Sequence, residues 1–415
     1  MHVSHPVADD LLELSIGPPA HGGHCVARHD GRVVFVRHTL PGERVQARVT
    51  HRTRRYWHAE AVRVLQPSPD RVPSIWPEAG PGGVGGGELA HVALPAQREW
   101  KRTVVLDTLR RIGGVDRDHR ALQDFRVQHV PVPGHPAHDD DGTGYRTRIS
   151  VQADDDGRPG MRRYRSDQVV PLQDLPLAHP AAQDLDLLGR TWAPGARVQA
   201  IVSATGDAVV LQDGTPVQAG RTRVREVVHH DGQTFRYRVS AGGFWQAHAG
   251  APAVLVRAVT GAAALGTGQH AVELYSGAGL LTTPLAHAVG SGGRVDAVEG
   301  SPTGARDARR NAHGHPQVHL HHADVRAYLD AAPHRPDVVV LDPPRTGAGR
   351  EVMQRVAGMA PERIVYVACD PAALARDLAT ARSTGYHLAA LSGFDLFPHT
   401  HHVECVAVLE RTPGD

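Results

Sequence analysis

The 415-residue sequence contains few cysteines, few aromatic residues and no long hydrophobic run. Its three cysteines, Cys25, Cys369 and Cys405, cannot build a disulfide framework and are typical of a reducing compartment. No apolar run approaches the roughly 20 residues that cross a membrane. The N-terminus, MHVSHPVADDLLELS, lacks the layout of a secretion signal. We therefore expect a cytoplasmic protein that does not enter a membrane.

Lysine is almost absent, because Lys101 is the only lysine among 45 basic residues. Arginine binds phosphate through two parallel hydrogen bonds and stacks on bases, so an arginine-rich chain suits RNA. A coding bias that replaces lysine by arginine explains the same composition, and we prefer that explanation. The net charge of +1 and the 41% hydrophobic content are ordinary for a globular protein of two or three domains.

The first 66 residues resemble short strands separated by turns. RVVFVRH (32–38) and RVQARVTHR (44–52) alternate apolar and polar residues around the turn at 40–43, which predicts a small β-barrel. The following segment, HRTRRYWHAEAVR, mixes basic and aromatic side chains as RNA-binding surfaces do, and includes Arg54 and Arg55. An edge strand kept soluble by charge would have the same composition.

A second region is expected over residues 67–232. A loop rich in proline and glycine (67–87) precedes a helical pattern at 95–112 that Gly113 and Gly114 terminate. GYRTRISVQAD and GMRRYRSDQVV then predict a β-hairpin. Two acidic runs, at 139–141 and 154–156, are typical of solvated turns rather than metal sites.

Residues 233–415 predict a doubly wound α/β domain. Continuous apolar runs of strand length, AVELY, RVDAVE, DVVVLD and RIVYVA, alternate with alanine-rich helical stretches. Uninterrupted apolar strands belong to a parallel sheet that is covered on both faces. The expected fold class is therefore α/β, with a small barrel and a mostly-β central domain before a Rossmann-like domain.

A glycine turn after the first of these strands predicts a nucleotide site. Gly277 and Gly279 let the chain turn tightly, and Glu299 ends the next strand, where a carboxylate binds ribose hydroxyls. The third glycine of the dinucleotide fingerprint is missing, which favours S-adenosylmethionine over a nicotinamide cofactor. Asp324 follows the third strand, where it either accepts a hydrogen bond from adenine or caps a helix.

Two further strand ends carry chemical groups. The run DVVVLDPPR ends in Asp342, and RIVYVACDP ends in Cys369. A cysteine after an apolar strand usually packs in the hydrophobic core, but this one lies at the edge where open α/β sheets bind ligands. The N-terminus of the next helix and Arg376 would favour its thiolate, so we predict that Cys369 is a nucleophile.

These motifs together resemble one family. DPPRTGAG, VACDPAALARDL, HVECVAVLER, FWQAH and ELYSGAG are similar to the motifs of the bacterial RNA uridine-5-methyltransferases, and the N-terminal strands are similar to their TRAM barrel. The resemblance implies that Cys369 adds to carbon 6 of uracil and that Glu404 removes the proton from carbon 5. On spacing alone, Glu404 would be a surface carboxylate.

The resemblance also implies which residues bind S-adenosylmethionine: Gln246, Tyr275, Glu299, Asp324 and Asp342. Two positions depart from the family pattern. Leu280 stands where many members have asparagine, so one side-chain hydrogen bond is lost, and Asp370 also replaces an asparagine. Arg345 follows Asp-Pro-Pro, where enzymes that methylate exocyclic amines have an aromatic residue. Cytosine-5-methyltransferases carry a second cysteine in the Asp-x-Pro motif, and the motif at 342–344 of this chain has none.

Many family members bind an iron–sulfur cluster through four cysteines. The matching positions here are Trp76, Val84, Gly87 and Leu175, and none of these residues can coordinate iron. We therefore expect no iron–sulfur cluster, and we expect Trp76, Val84 and Leu175 to fill its place by apolar packing. The histidine runs at 319–322 and 399–402 contain possible zinc ligands. Composition bias explains these runs better than a zinc site does.

The resemblance implies RNA as the partner, with 23S rRNA favoured over tRNA. Candidate backbone contacts are Arg54, Arg55, Arg162, Arg163 and Arg165. We expect a monomer. Two other functions stay open: an RNA-binding or folding factor with a vestigial site, and a methyltransferase that acts on another base.

Overall fold

The computed structural model describes residues 11–218, 220–331 and 335–412. Within those ranges the chain forms an N-terminal sheet, a central region and a C-terminal α/β domain. None of the described helices is long and apolar enough to cross a membrane.

The N-terminal region is a six-stranded sheet with the order β1-β5-β6-β4-β3-β2. Its strands are β1 Leu11–Ser15, β2 Pro19–Ala20, β3 His24–His29, β4 Arg32–Arg37, β5 Arg44–Arg52 and β6 Tyr56–Gln66. Alternation places Val34, Val36 and Val45 in one apolar core, while the intervening residues face outward. The strands that the sequence predicts at 32–38 and 44–52 are confirmed.

The central region combines a long helix with a second six-stranded sheet, ordered β10-β9-β8-β11-β12-β13. Its elements are α1 Leu94–Arg111, α2 Arg120–Gln123, β7 Val127–His129, α3 Ala137–Asp141, β8 Arg148–Ala153, β9 Pro159–Arg162, β10 Val169–Pro171, α4 Pro180–Gln183, β11 Arg197–Val202, β12 Ala208–Gln212 and β13 Thr215–Pro216. The predicted helix at 95–112 agrees with α1, and β8 pairs with β9 as the predicted hairpin requires.

The C-terminal region begins with an antiparallel hairpin and continues as alternating helices and strands. Its elements are β14 Arg223–His230, β15 Gln233–Ser240, α5 Ala251–Ala263, β16 His270–Leu274, α6 Thr282–Val289, β17 Arg294–Glu299, α7 Pro302–Asn311, β18 Val318–His322, α8 Val325–Ala331, β19 Val338–Leu341, α9 Arg350–Gly358, β20 Arg363–Ala368, α10 Pro371–Arg382, β21 Tyr386–Asp395 and β22 Glu404–Arg411.

An eight-stranded sheet organises this region, in the order β18-β17-β16-β19-β20-β22-β21-β7. Strands β16 to β20 run parallel, and their chain order reverses direction at β16, which is where ligands bind in open α/β sheets. Strand β22 is antiparallel to β20, with Ala368 opposite Cys405. The first residue of β22 therefore lies at the same edge as the carboxyl ends of the parallel strands.

The structure changes the expected domain limits in two places. The boundary expected between 232 and 233 falls in the turn of the β14–β15 hairpin, whose strands pair along their whole length. In addition, β7 from the central region pairs with β21 and extends the C-terminal sheet. We therefore propose a boundary before β14, with β7 counted in the C-terminal sheet. The β14–β15 hairpin is a local pairing that the sequence analysis did not single out. The pairing of β7 with β21 joins residues far apart in the chain, which local sequence patterns do not reveal.

Candidate functional site

A cavity of about 560 Å³ opens at the carboxyl edge of the large sheet. The loops that follow β16, β17, β19 and β20 form its walls, together with the segment before α5 and the start of β22. Seven of the predicted catalytic and cofactor-binding residues line this one cavity: Gln246, Tyr275, Gly277, Glu299, Asp342, Cys369 and Glu404. Residues more than 150 positions apart thus meet because their strands end at one edge.

The loop after β16 has the backbone geometry of a ligand-binding turn. Tyr275, Gly277 and Gly279 all have positive φ, at 65°, 55° and 87°. A Cβ on Gly277 would meet no atom within 4 Å, so the backbone there faces open space. A Cβ on Gly279 would lie 3.5 Å from Ala308 of α7. Gly277 therefore faces the cavity, whereas Gly279 lies outside its lining and permits close packing of the loop on a helix.

Glu299 connects this loop to the next helix. Its Oε2 accepts a hydrogen bond from the Gly277 amide at 2.7 Å, and its Oε1 accepts one from the Ser301 amide at 2.6 Å. Each carboxylate oxygen retains a second lone pair for a ligand hydroxyl. Ser276 also lines the cavity, and its Oγ is buried without a hydrogen-bond partner among the described residues. A buried hydroxyl of this kind fits a polar ligand that would satisfy it.

Two predicted cofactor residues differ in their placement. Gln246 is buried and lines the cavity. Asp324 is exposed outside the lining, and its Oδ1 accepts hydrogen bonds from the amides of Arg326 and Ala327 at the start of α8. The capping alternative is thus the one visible in the structure. Asp324 is close enough to Tyr275 that, after burial, its charge helps raise the pKa of that phenol to about 12.

Cys369 follows β20 directly and lines the cavity. Burial, followed by the charges of Glu404 and Asp342, raises the pKa of its thiol to about 12, while Arg345 opposes this shift. The expectation that Arg376 favours the thiolate is therefore wrong, because Arg376 is exposed on α10 and Arg345 is the cation that lowers this pKa. The effect of the helix N-terminus on the thiolate stays a prediction.

The pKa values of the two carboxyl groups beside Cys369 are also raised. Glu404 is buried at the start of β22, and burial raises its pKa well above the usual range. Asp342 raises it further, whereas Arg345 lowers it. Burial raises the pKa of Asp342 to about 7. One arginine thus lowers the pKa of two acidic groups, Cys369 and Glu404, and pKa values perturbed in this way are typical of catalytic sites.

Sequence reasoning missed the functional importance of three lining residues, Arg345, Glu273 and Phe397. For a fourth, His402, its place near Glu404 in sequence already suggested that it could face the substrate. Arg345 was noted only as a residue that excludes base stacking, yet it is the cation beside Cys369 and Glu404. Glu273 lies buried in β16, accepts a hydrogen bond from Thr282 and has a pKa raised to about 8 by burial. Phe397 and His402, whose rings are 5.8 Å apart, also line the cavity. The signal for all four is their position at or beside a strand end.

The N-terminal sheet reaches the rim of this site. His21 Nε2 lies 2.8 Å from Asp370 Oδ2, while Asp370 Oδ1 accepts from the Ala373 amide and caps α10. The His21 contact lowers the pKa of Asp370 despite partial burial. A loop of the first region is therefore bound to the residue next to Cys369.

The candidate RNA-binding arginines lie in two exposed turns. Arg54 and Arg55 occupy the turn between β5 and β6. Arg162 donates to Asp167 and Gln152, and Arg165 lies over the Tyr164 ring at 5.3 Å. Arg163 is exposed beside them. Tyr164 also lies under Arg37 of β4 at 3.5 Å, so the second turn packs against the N-terminal sheet.

The four positions that match the iron–sulfur ligands lie close together. Trp76 and Val84 are buried in one apolar cluster, and Leu175 packs against it. A Cβ on Gly87 would lie 3.2 Å from the Trp76 ring. Among residues 11–218, 220–331 and 335–412, no three His, Cys, Asp or Glu side chains are grouped so as to hold a metal ion. The packing is as we expected, and the absence of a bound cluster stays a prediction.

Comparison with known proteins agrees with this geometry. The TRAM domain model matches residues 11–62, and the tRNA (uracil-5-)-methyltransferase model matches residues 327–412. An uncharacterized RNA methyltransferase of Streptomyces avermitilis is 40% identical, covering 96% of this chain and 98% of its own length. A 23S rRNA (uracil(1939)-C(5))-methyltransferase of Alkalilimnicola ehrlichii is 32% identical over 97% of both chains.

A solved structure shares the fold across the whole chain. The tRNA (uracil-54, C5)-methyltransferase of Pyrococcus abyssi, in complex with S-adenosyl-L-homocysteine, has a TM-score of 0.68 and 22% sequence identity. It covers 96% of this chain and 100% of its own. The extent of these matches and the methyltransferase cavity lead to one conclusion: the chain belongs to the S-adenosylmethionine-dependent RNA (uracil-5-)-methyltransferase family with an N-terminal TRAM domain.

Proposed function

We propose that this enzyme methylates carbon 5 of a uridine in RNA through a covalent bond to Cys369. The supporting observation is that Cys369, Glu404 and the glycine loop line a single cavity. Gln246, Tyr275, Gly277, Glu299 and Asp342 would hold S-adenosylmethionine, which supplies an electrophilic methyl group when bound. Gly279 would let the loop pack closely on α7, and Asp324 would stabilise the start of α8.

The chain's own residues supply the remaining chemistry. The Cys369 thiolate adds to carbon 6 of uracil, and the displaced π electrons make carbon 5 nucleophilic. Once carbon 5 carries both hydrogen and methyl, the Glu404 carboxylate takes that proton. The electrons of the C–H bond restore the double bond between carbons 5 and 6, and the C–S bond breaks to release the thiolate. A carboxylate whose pKa is raised is a stronger base, which suits Glu404 to this step.

The target that we propose is a uridine of 23S rRNA. The supporting relative is the Alkalilimnicola ehrlichii enzyme, whose name states that activity and which is 32% identical to this chain. A tRNA is the second candidate, since the Pyrococcus abyssi structure is named for uracil 54 of tRNA. The target base must leave its stack to reach Cys369 inside the cavity. The cytoplasmic location and the monomeric state stay predictions.

Trapping on RNA that contains 5-fluorouridine tests the mechanism. Fluorine at carbon 5 leaves no proton for Glu404 to remove, so the Cys369 adduct should persist through denaturing electrophoresis. Cys369→Ala should form no adduct, and Cys25→Ala is the matched control because Cys25 is buried in the N-terminal sheet. Absence of an adduct with the unaltered enzyme, or an adduct that survives Cys369→Ala, would disprove the mechanism.

Nucleoside analysis of RNA from a strain that lacks the gene tests the product. One 5-methyluridine should disappear from 23S rRNA and return when the intact gene, but not its Cys369→Ala form, is supplied. Loss of a different methylated base would favour the alternative that the enzyme acts on another base. Unchanged RNA would favour a binding or folding factor with a vestigial site.

A further inference from the structure

The loop between β21 and β22 carries part of the active site. It covers residues 396–403 and brings Phe397 and His402 to the cavity, and the next residue is Glu404. A loop of this kind has no sheet hydrogen bonds of its own to hold it, so other contacts must fix the position of Glu404. Most of those contacts come from outside the C-terminal domain.

Lys101 in α1 provides the first contact. Its Nζ donates to Asp395 Oδ1 at 2.6 Å and to the backbone oxygen of Phe397 at 2.9 Å, and its side chain is completely buried. It is also the only lysine among the 45 basic residues. An ammonium group is compact and donates in three directions, whereas a guanidinium is a wide planar fork. A buried position that must reach both acceptors therefore favours lysine even in a chain that uses arginine elsewhere.

Gln97 provides the second contact, one helical turn before Lys101. Its Oε1 accepts a hydrogen bond from the His399 amide at 2.7 Å, and its Nε2 donates to the backbone oxygen of Val92 at 2.7 Å. Residues four apart lie on the same face of a helix, so Gln97 and Lys101 contact consecutive parts of the loop. Tyr145, also of the central region, donates its hydroxyl hydrogen to the Pro398 oxygen at 3.1 Å.

We propose that Lys101 and Gln97 of α1 are positioning residues that hold the 396–403 loop so that Glu404 can remove the proton from carbon 5. The proposal rests on the function proposed above. Neither residue lines the cavity, so both act through the loop. Adduct formation by Cys369 depends on β20 and the loop after it, and the hydrogen bonds described for Lys101 and Gln97 go to other parts of the chain. Loss of Lys101 should therefore slow proton removal more than adduct formation.

Lys101→Met tests this inference in the full-length enzyme. With RNA that contains 5-fluorouridine, adduct formation should stay close to that of the unaltered enzyme. With ordinary RNA, turnover should fall by about 100-fold, because a displaced base costs that much, and the covalent intermediate should accumulate. Deuterium at carbon 5 should then give a primary isotope effect that is larger than in the unaltered enzyme. A purely structural role for Lys101 would slow both steps together and leave the isotope effect unchanged.

The experiment needs a separate control for stability, because Lys101→Met leaves the Asp395 carboxylate buried and without its ion-pair partner. Asp395 Oδ2 already has no partner among the described residues. The double variant Lys101→Met/Asp395→Asn removes that charge, so it should unfold at a higher temperature than Lys101→Met and keep the isotope effect. Arg110→Met, on the exposed end of α1, is the matched control and should change neither step.

The outcomes separate this inference from the proposed function. If the unaltered enzyme forms no adduct with 5-fluorouridine RNA, the proposed function fails. If it forms the adduct, but Lys101→Met and the double variant show unchanged turnover or no larger isotope effect, the positioning role is overturned. Gln97→Met should reproduce the Lys101→Met pattern with a smaller loss of turnover.

Discussion

At the scale of single residues, acidic side chains outnumber basic ones around Cys369. Burial, followed by the charges of Glu404, Asp342 and Asp370, raises the pKa of Cys369, and Arg345 is the cation that lowers it. A raised pKa favours the protonated thiol over the thiolate. A bound cation, such as a sulfonium, would shift this balance toward the ionised forms.

Arg345→Ala should make Cys369 less reactive. Loss of the positive charge destabilises the thiolate, so the pKa of Cys369 should rise further and alkylation by iodoacetamide at pH 9 should slow by about three- to tenfold. Peptide mass spectrometry measures the rate at Cys369 separately from the buried Cys25 and Cys405. Arg376→Ala is the matched control and should leave the rate unchanged. A faster reaction in Arg345→Ala would contradict this account.

The affinity for S-adenosylmethionine should depend on pH through Asp342. Its pKa is raised to about 7, and a cationic ligand favours the ionised carboxylate. Binding should therefore strengthen as the pH rises from 6 to 8 and weaken as it falls through 7. Calorimetric titration at several pH values measures this change. Asp342→Asn should bind more weakly and lose this pH dependence, and a variant that keeps it would show that another group titrates.

At the scale of structural elements, the loop that matches the iron–sulfur site forms part of a buried apolar cluster. Trp76, Val84 and Leu172 share one buried cluster, and Gly87 lies against the indole ring. Glu88, the next residue, contacts His401 at 3.3 Å, so the same loop also reaches the active-site rim. Iron analysis and visible absorbance of anaerobically purified protein would check that no cluster is bound.

Gly87→Ala should destabilise the protein. The added Cβ would lie 2.6 Å from the Ala79 Cβ and 3.2 Å from the Trp76 ring, so the loop must move. Overpacking of this kind costs about 1–3 kcal/mol of unfolding free energy. Gly85→Ala is the matched control, because its nearest neighbour would be 3.9 Å away. Urea denaturation of both variants measures the difference, and equal stability would show that the loop is loosely packed.

At the scale of the whole molecule, three regions converge on one cavity. The C-terminal domain provides the cavity, α1 of the central region contacts the loop before Glu404, and the N-terminal sheet reaches Asp370 through His21. RNA that binds the N-terminal sheet would therefore be close to Asp370, the residue after Cys369. Arg54 and Arg165 are exposed in turns of the first two regions.

The double variant Arg54→Ala/Arg55→Ala should weaken RNA binding without affecting S-adenosylmethionine binding. Each phosphate contact releases counterions, so the slope of log affinity against log salt should decrease by about two. Filter binding at several salt concentrations measures the slope. Arg158→Ala is the control, because Arg158 is paired with Asp154 in the central region. An unchanged slope would show that this turn does not contact the RNA backbone.

The sequence alone determined the elements and most of the cavity. Alternation predicted the N-terminal strands, uninterrupted apolar runs predicted the parallel sheet, and the resemblance assigned Cys369 and Glu404 their roles. These features can be predicted from local sequence, because neighbouring residues determine the periodicity and the ends of a strand. Gln246 and Asp342, which the resemblance assigns to the cofactor, also line the cavity, and their contact with S-adenosylmethionine stays a prediction.

Only the tertiary structure decided the electrostatics and the supports of the site. Arg345 replaced Arg376 as the cation near Cys369, because a pKa depends on which charges share a cavity rather than on which are near in sequence. In the sequence, Lys101 is notable only because it is the one lysine. Its contact with Phe397, almost 300 residues later, exists because α1 packs on β7, which pairs with β21. Such contacts follow from folding, and no local pattern predicts them.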